Sequence, residues 1–417
     1  MKREKILEKA WVGVAVVVAL AAVVLGYRYA NYDALVYMGG DSHSYFDAFQ
    51  VLCSGQLDVY RTPVYPLVVG AFDSLFGPIQ FQSDMIFERH TVAGTGDYIF
   101  YIVLLQDVVL VLALCCFLKM MRGLMRSGTR ALALTVALEL VLLLTARITS
   151  IDTVETECFA LSWLIFYLYC LWRWVDAHSW RWGLAACVWS LLLLFLRPSL
   201  FFVTLMTLVV AVAMVWRRSG RGHWLTLGCT VASLLLMVAY CLQIKAQTGM
   251  FTPSVVSVIN RYLDLKISGI LDGLQLTDAT QQQLLDLSTA DKAQYIIRGG
   301  GAAAFSDLVN SVIATHPSEY LRWTLHKLAA PRLWLEPALC LLVVIAAVKR
   351  RKRLSRRDYL ALIIAAMAMM HWGITWLGAP NQWARLLVAN VPMLAMLVGY
   401  LLDYFLNGLR KRSRLTT

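Results

Sequence analysis

Residues 39–66 read GGDSHSYFDAFQVLCSGQLDVYRTPVYP and set one carboxylate, Asp41, directly ahead of a pattern in which Tyr45, Phe46, Phe49 and Leu52 recur. Steps of three and four residues put those side chains on one face, and Gly55 ends the pattern, so the segment predicts a short amphipathic helix lying on a membrane. A carboxylate held there can take a proton from an attacking hydroxyl beside a lipid head group. The alternative is that Asp41 and Ser42 simply cap the helix. A second helix is expected from Thr62 and Pro63, because the first turn has unpaired N–H groups and tolerates proline. Leu67, Val68, Phe72, Leu75 and Phe76 continue its apolar face until Gly77 and Pro78.

Three arginines stand where apolar runs meet polar loops: Arg61, Arg197 and Arg385. A planar guanidinium donates two hydrogen bonds to two oxygens and stays charged, which suits phosphate. Such arginines also snorkel to the interface, or pair with acids such as Asp152, Glu155 and Glu157. Those three acids lie in the turn SIDTVETE, which either offers a divalent cation hard oxygen ligands or supports the arginines. Asp107 and Glu139 fall in the middle of apolar runs; they mark an ion path or satisfy each other, a hydroxyl or a water. His43, His316, His326 and His371 show no HExxH or other ligand spacing, and His316 reads as a helix end ahead of Pro317. With no GxxxxGK[ST] loop and no DxD in a soluble domain, a cytoplasmic nucleotide-using enzyme is disfavoured.

The elements that position these residues follow from composition. The chain has 417 residues, 59% hydrophobic and 15% charged, against about 45–50% and about 25% in an ordinary globular domain. The excess apolar surface must face lipid. Apolar runs near 11–30, 98–118, 131–147, 158–172, 183–197, 199–216, 224–242, 333–348, 359–377 and 384–406 predict about ten transmembrane helices in a single membrane domain, 1–417. The net charge of +12 sits mainly in short segments between runs, whereas 243–330 is poor in Lys and Arg. That is the positive-inside pattern and not a nucleic-acid footprint. Both termini are then cytoplasmic, and two outer-face loops, 31–97 and 243–332, are left to carry function. The second loop predicts helices over 254–271, roughly 278–288, 302–315 and 317–329. The nine cysteines contain no CxxC pair and mostly lie in apolar runs, which argues against a disulfide framework. The first run lacks a small-residue cleavage site and reads as a retained span. No fixed-period repeat supports an inverted-repeat transporter.

Taken in order, GGDSHSY, YRTPVYPLVVGAFDSLFG, the turn with Thr156 and Glu157, LLFLRPSLFF, THPSEYLRWTLHKL and QWARLLVANVPMLAML span nearly the whole chain. In this order they resemble the GT-C superfamily of membrane glycosyltransferases, in its protein mannosyltransferase and aminoarabinose-transferase-like branch (glycosyltransferase 39/83-like). The resemblance implies an all-α fold with helical extracytoplasmic loops. It also implies a polyprenyl-phosphate sugar donor and a hydroxyl acceptor on a membrane lipid, a glycan or a protein. Asp41 matches the catalytic base, with inversion at the anomeric carbon; Arg61, Arg197 and Arg385 would hold the leaving phosphate, and His43, Tyr45, Tyr65, Glu157 and Arg261 would line the substrate pocket. No cofactor is assigned, and the option of a divalent metal stays open with Asp152, Glu155 and Glu157 as its candidate ligands. The expected setting is the inner membrane of a bacterium, with the site facing the periplasm. The chain departs from the pattern at Ser42, where an acid often follows the aspartate, at Arg385-Leu386, where an RY-type pair is usual, and in having no large soluble C-terminal domain. The rival readings are a lipid-linked oligosaccharide polymerase or ligase working through loop arginines such as Arg261, and a transporter or flippase using Asp107 and Glu139.

Overall fold

The computed structural model describes residues 2–33, 37–79, 97–218, 220–276, 278–298, 301–330, 334–350, 354–378 and 387–413. Among these residues the regular elements are all helical. In chain order the α-helices are α1 (Lys2–Ala30), α2 (Ser42–Cys53), α3 (Val64–Phe76), α4 (Asp97–Leu124), α5 (Gly128–Leu144), α6 (Ala146–Thr149), α7 (Glu157–Ala177), α8 (Trp180–Leu196) and α9 (Phe201–Arg218). They continue as α10 (Arg221–Thr248), α11 (Val256–Ile267), α12 (Ala279–Asp286), α13 (Thr289–Arg298), α14 (Ala302–Thr315), α15 (Pro317–Lys327), α16 (Leu335–Lys349), α17 (Arg356–Gly378) and α18 (Val391–Ser413).

Seven of them, α1, α4, α7, α9, α10, α17 and α18, include stretches long and apolar enough to cross a membrane. The chain is an all-α polytopic membrane protein. Helices also form at the other three apolar runs, but α5 and α8 have 17 residues each and α16 has 15, short of the roughly 20 that a straight crossing needs. Helix α7 is the centre of the bundle, buried on nearly all sides with Tyr167 and Trp174 fully enclosed. Helix α1 by contrast shows solvent-side apolar groups such as Trp11, Val23 and Tyr27, as a lipid-facing helix does.

The first-loop helices stop where the sequence places glycine: Gly55 and Gly77 adopt φ of +79° and +91°, a backbone state that only glycine enters without a steric cost. Gly70 lets α3 press on α2, since a Cβ there would come within 2.0 Å of the Phe49 ring. On the other side of α3, Leu67, Leu75 and Phe76 stay exposed, the apolar face expected of an interfacial helix. Helix α2 is less superficial than its sequence predicts: Ser42 to Phe46 are all buried.

Helices α11 to α15 form a small unit whose core of Val258, Tyr262, Leu265, Phe305, Leu308 and Val309 also takes in Tyr60 from the first loop. The sequence reading anticipated four of these helices and missed α13, although its start is marked. Ser288 accepts from the Asp291 N–H at 3.1 Å and donates to the Asp291 carboxylate at 2.6 Å, a reciprocal cap. A buried ion pair joins α11 to α15: Lys327 Nζ lies 2.9 Å from Asp264 Oδ2, and Trp323 Nε1 donates to Asp264 Oδ1 at 2.8 Å.

Replacing Lys327 by Met strands a buried carboxylate and should cost about 3–5 kcal/mol. The double change with Asp264→Asn should recover much of that loss, so thermal unfolding of the single and double variants should be strongly non-additive. Additive losses would mean that the pair contributes nothing to holding the unit together.

Candidate functional site

Arg61 is positioned by a turn built from its own neighbours. Asp58 accepts the backbone N–H groups of Tyr60, at 2.8 Å, and of Arg61, the local bonding that makes aspartate a turn former. Burial pushes the Asp58 carboxyl above its ordinary value, and those N–H groups oppose the shift. The second loop clamps the same turn from outside. Val255 N–H donates to the Val59 carbonyl at 3.0 Å and Ser254 Oγ to the Tyr60 carbonyl at 2.6 Å.

The Arg61 guanidinium then lies against two rings, 4.5 Å from the centroid of Tyr45 and 4.3 Å from that of Tyr60. Its Nε donates to Ser44 Oγ at 2.7 Å, and Nη2 is 2.8 Å from Asp41 Oδ1. Burial works against its charge, but Tyr45, Asp41 and Tyr60 more than offset that and hold it above its ordinary value. Asp41 occupies the N-cap position of α2 without making a side-chain cap bond, so its carboxylate is turned to Arg61 instead of the helix. Ser42 does not cap the helix either; its Oγ accepts the N–H of Gly39, ahead of the helix, at 2.8 Å. The Asp41 side chain remains 26% exposed while that of Arg61 is 12% exposed. A reachable carboxylate thus fronts a mostly buried cation.

Tyr45 connects this pair to the acidic turn. Burial raises its hydroxyl, Arg61 opposes, and Glu157, Asp41 and Glu155 add to the rise, so the group stays a neutral phenol among charges. Below it Tyr65 packs edge-on, with ring centroids 4.7 Å apart. Tyr65 is fully buried and its hydroxyl donates to Gln106 Oε1 at 2.7 Å, while Gln106 Nε2 donates to the Thr153 carbonyl at 2.9 Å. Tyr65, a residue for which the resemblance implies a place in the sugar pocket, lies beneath Tyr45 and braces it against α4. His43, expected beside it, is also buried, because the first turn of α2 is packed on both sides.

Glu157 opens α7 with no exposed surface and lies 3.3 Å from Arg197 Nη1. Arg197 is where α8 breaks ahead of Pro198, with extended backbone at φ −151° and ψ 103°. The break is tied to the first loop through Thr62 Oγ1, which donates to the Leu196 carbonyl at 3.3 Å. Glu155 approaches so closely that a Cβ on Gly39 would come 2.0 Å from its Oε1, and the strap closes through Val154 N–H donating to the Tyr37 carbonyl at 2.9 Å. Arg61 and Arg197 therefore belong to one connected site with Asp41, Tyr45, Glu155 and Glu157.

Other expected residues lie elsewhere. Arg261 sits on α11, where Nη1 donates to Asn310 Oδ1 at 3.1 Å on an exposed surface, and Arg385 lies outside the described residues. No group of three or more His, Cys, Asp or Glu among the described residues has the spacing to hold a metal ion, Asp152, Glu155 and Glu157 included. Asp107 does not pair with Glu139: Arg28 Nη1 lies 3.3 Å from each of its oxygens, and the Tyr29 hydroxyl donates to it. One polar string escaped sequence reasoning. His371 Nδ1 is 2.7 Å from Asn390 Oδ1, and Asn390 Nδ2 donates to Glu336 Oε2, all three buried between α16, α17 and the turn before α18. Only an Asn and a Glu inside apolar runs hinted at it. Neither a scan against protein-family models nor a search of curated proteins returns a match for this chain.

Gln106→Leu removes the acceptor of one buried hydroxyl and the donor to two buried carbonyls, those of Ile151 and Thr153, and should destabilise the protein by about 1–3 kcal/mol. In thermal unfolding the loss should shrink when Tyr65→Phe is added, since the stranded hydroxyl is then gone. An equal loss with and without Tyr65→Phe would show that the two side chains do not share this bond.

Proposed function

We propose that the protein is a membrane glycosyltransferase that moves a sugar from a polyprenyl-phosphate donor to a hydroxyl of a lipid, glycan or protein acceptor. The observation that carries this reading is the 2.8 Å contact between partly exposed Asp41 and buried Arg61 at one end of an apolar helical bundle. It joins the two groups that such a transfer needs, a proton acceptor and a fixed cation for a departing phosphate. Asp41 takes the proton from the acceptor hydroxyl as its oxygen attacks the anomeric carbon. The bond from that carbon to the phosphate oxygen breaks on the opposite face, so configuration inverts. Arg61 and Arg197 hold the phosphate and stabilise the charge that grows on it, and Arg385 is the third candidate for that role. Tyr45, neutral, buried and braced by Tyr65, holds the Arg61 guanidinium against its ring where the phosphate would sit. The isoprenoid tail runs between helices that already expose apolar surface to lipid, for example along Leu67 and Phe76 of α3.

The same reading gives the bundle ten crossings of GT-C type, with α5, α8 and α16 as short spans that locally thin the bilayer or sit beside water-filled loops. Both termini are then cytoplasmic, and the Asp41 end faces the periplasm of a bacterial inner membrane. Of the two acids behind the transporter reading, Asp107 is engaged with Arg28 and Tyr29, and Arg261, on which the polymerase reading rests, donates to Asn310 of α14.

Incubation with a panel of polyprenyl-phosphate sugars, followed by mass spectrometry for released polyprenyl phosphate, tests the reaction. Asp41→Asn should lower release by at least about a hundredfold, the usual contribution of a general base, with donor affinity nearly unchanged; normal turnover in this variant would remove Asp41 from the mechanism. Arg197→Gln should weaken donor binding roughly tenfold, the worth of one charge-assisted hydrogen bond. Undiminished donor affinity would remove Arg197 from the phosphate site.

A further inference from the structure

The end of the bundle away from Asp41 holds a second charged cluster that the proposed reaction does not use. Helix α4 separates the two: Tyr98 near its start donates to Asp73 of α3 at 3.0 Å, and the helix runs on to Leu124, where the cluster begins. A cavity of about 290 Å³ opens there between the α4–α5 turn, α17 and α18, with Arg126, Arg350, Arg357 and Asp403 among its lining residues. Deeper in, its wall is apolar and formed by Leu360, Ile364, Met396 and Leu397.

The charges at this mouth do not balance. Asp403 is approached by Arg126 Nε at 4.0 Å, Arg130 Nη1 at 3.8 Å and Arg357 Nη1 at 4.0 Å. One carboxylate therefore serves three guanidiniums, and none comes within ordinary side-chain hydrogen-bonding distance. Arg350 is engaged separately, 3.4 Å from Asp358 Oδ1 and 4.5 Å from the Tyr404 ring centroid. Asp358 is further satisfied by Ser355 Oγ at 2.7 Å and the Tyr400 hydroxyl at 2.6 Å, so it supplies nothing to the other arginines. Arg357 spends one N–H on the Gly123 carbonyl at 3.2 Å. Among the described residues, three guanidiniums thus gather about a single acid with two oxygens.

An added anion with several oxygens would relieve that crowding, and phosphate fits planar forks. The apolar wall beneath the charged mouth sets a second requirement, since a free ion would leave it empty, whereas an acyl chain would cover it. Basic pockets between membrane helices take lipid phosphates for these two reasons together. We infer that this cavity binds the phosphate headgroup of an anionic membrane phospholipid, with the first part of its acyl chain laid between α17 and α18. The site is independent of the proposed transfer reaction and would hold whatever the Asp41 end does.

The test titrates the full-length chain in neutral detergent with fluorescent phosphatidylglycerol, with fluorescent phosphatidylcholine as the uncharged comparison and inorganic phosphate as competitor. The expected result is saturable binding of phosphatidylglycerol, little binding of phosphatidylcholine, and no displacement by inorganic phosphate at concentrations comparable to the lipid. Replacing Arg126 and Arg357 by Gln should weaken binding by roughly tenfold or more, whereas Arg221→Gln, a basic change outside the cavity lining, should leave it unaltered. Asp403→Asn tests the opposite sign: with the competing carboxylate gone, lipid should bind several-fold more tightly. Equal affinity for the two lipids, full displacement by inorganic phosphate, or an Asp403→Asn affinity that stays the same or falls would each overturn the assignment.

Discussion

A guanidinium withdrawn from water at the end of an apolar bundle must be compensated by its surroundings, and Arg61 is compensated by three kinds of partner at once. Two tyrosine rings flank it, a serine oxygen accepts from Nε, and a carboxylate stands 2.8 Å away. Three local devices bring these partners together. Asp58 bends the chain so that Arg61 points inward, α2 supplies Ser44, Tyr45 and Asp41 from its first turn, and the second loop pins Val59 and Tyr60 by their carbonyls. Removing any one device would leave the cation under-compensated in a place where charge is costly, so the two loops and the bundle are coupled through this residue.

The same requirement explains why the neighbouring polar groups are paired as they are. Arg197 can stand at the break of α8 because Glu157 starts α7 beside it. Glu155 lies close to Gly39, at a position where any larger residue would collide with it. Tyr65 and Gln106 close the polar layer from below, so the charged groups rest on a hydrogen-bonded floor and not on bare hydrocarbon. Asp41, Glu155 and Glu157 are therefore part of one polar layer beside the first-loop helices.

Much of this was legible in the sequence where chemistry is local. Gly55 and Gly77 mark helix ends by their backbone freedom, the apolar runs mark the bundle helices, and Asp41, Arg61, Arg197 and Glu157 were all singled out by type and setting. What could not be read was which side of a helix meets which neighbour. Asp41 and Ser42 offered capping and catalytic readings that differ only in side-chain direction, and that direction is fixed by Arg61, twenty residues on. Tyr65 and His43 belong to a polar-aromatic stretch, but the stretch does not show that both are buried, Tyr65 against Gln106 of α4 and Phe159 of α7. The Glu336, Asn390 and His371 string was hidden for the same reason: its members lie far apart in the chain and meet only when α16, α17 and the start of α18 pack together. Helix α5 and helix α16 were anticipated as runs, but their lengths of 17 and 15 residues depend on where caps and charges end them.

The central claim is that the residue 41 carboxylate stands beside the phosphate of a lipid donor on the extracytoplasmic side. The most direct measurement places a single reactive thiol at that position, Asp41→Cys in a background with Cys53→Ser, and labels it with a membrane-impermeant maleimide in sealed vesicles of each orientation. The account predicts labelling only from the extracytoplasmic face and protection by polyprenyl phosphate added to the membrane. Labelling from the cytoplasmic face, or labelling that polyprenyl phosphate does not slow, would contradict it.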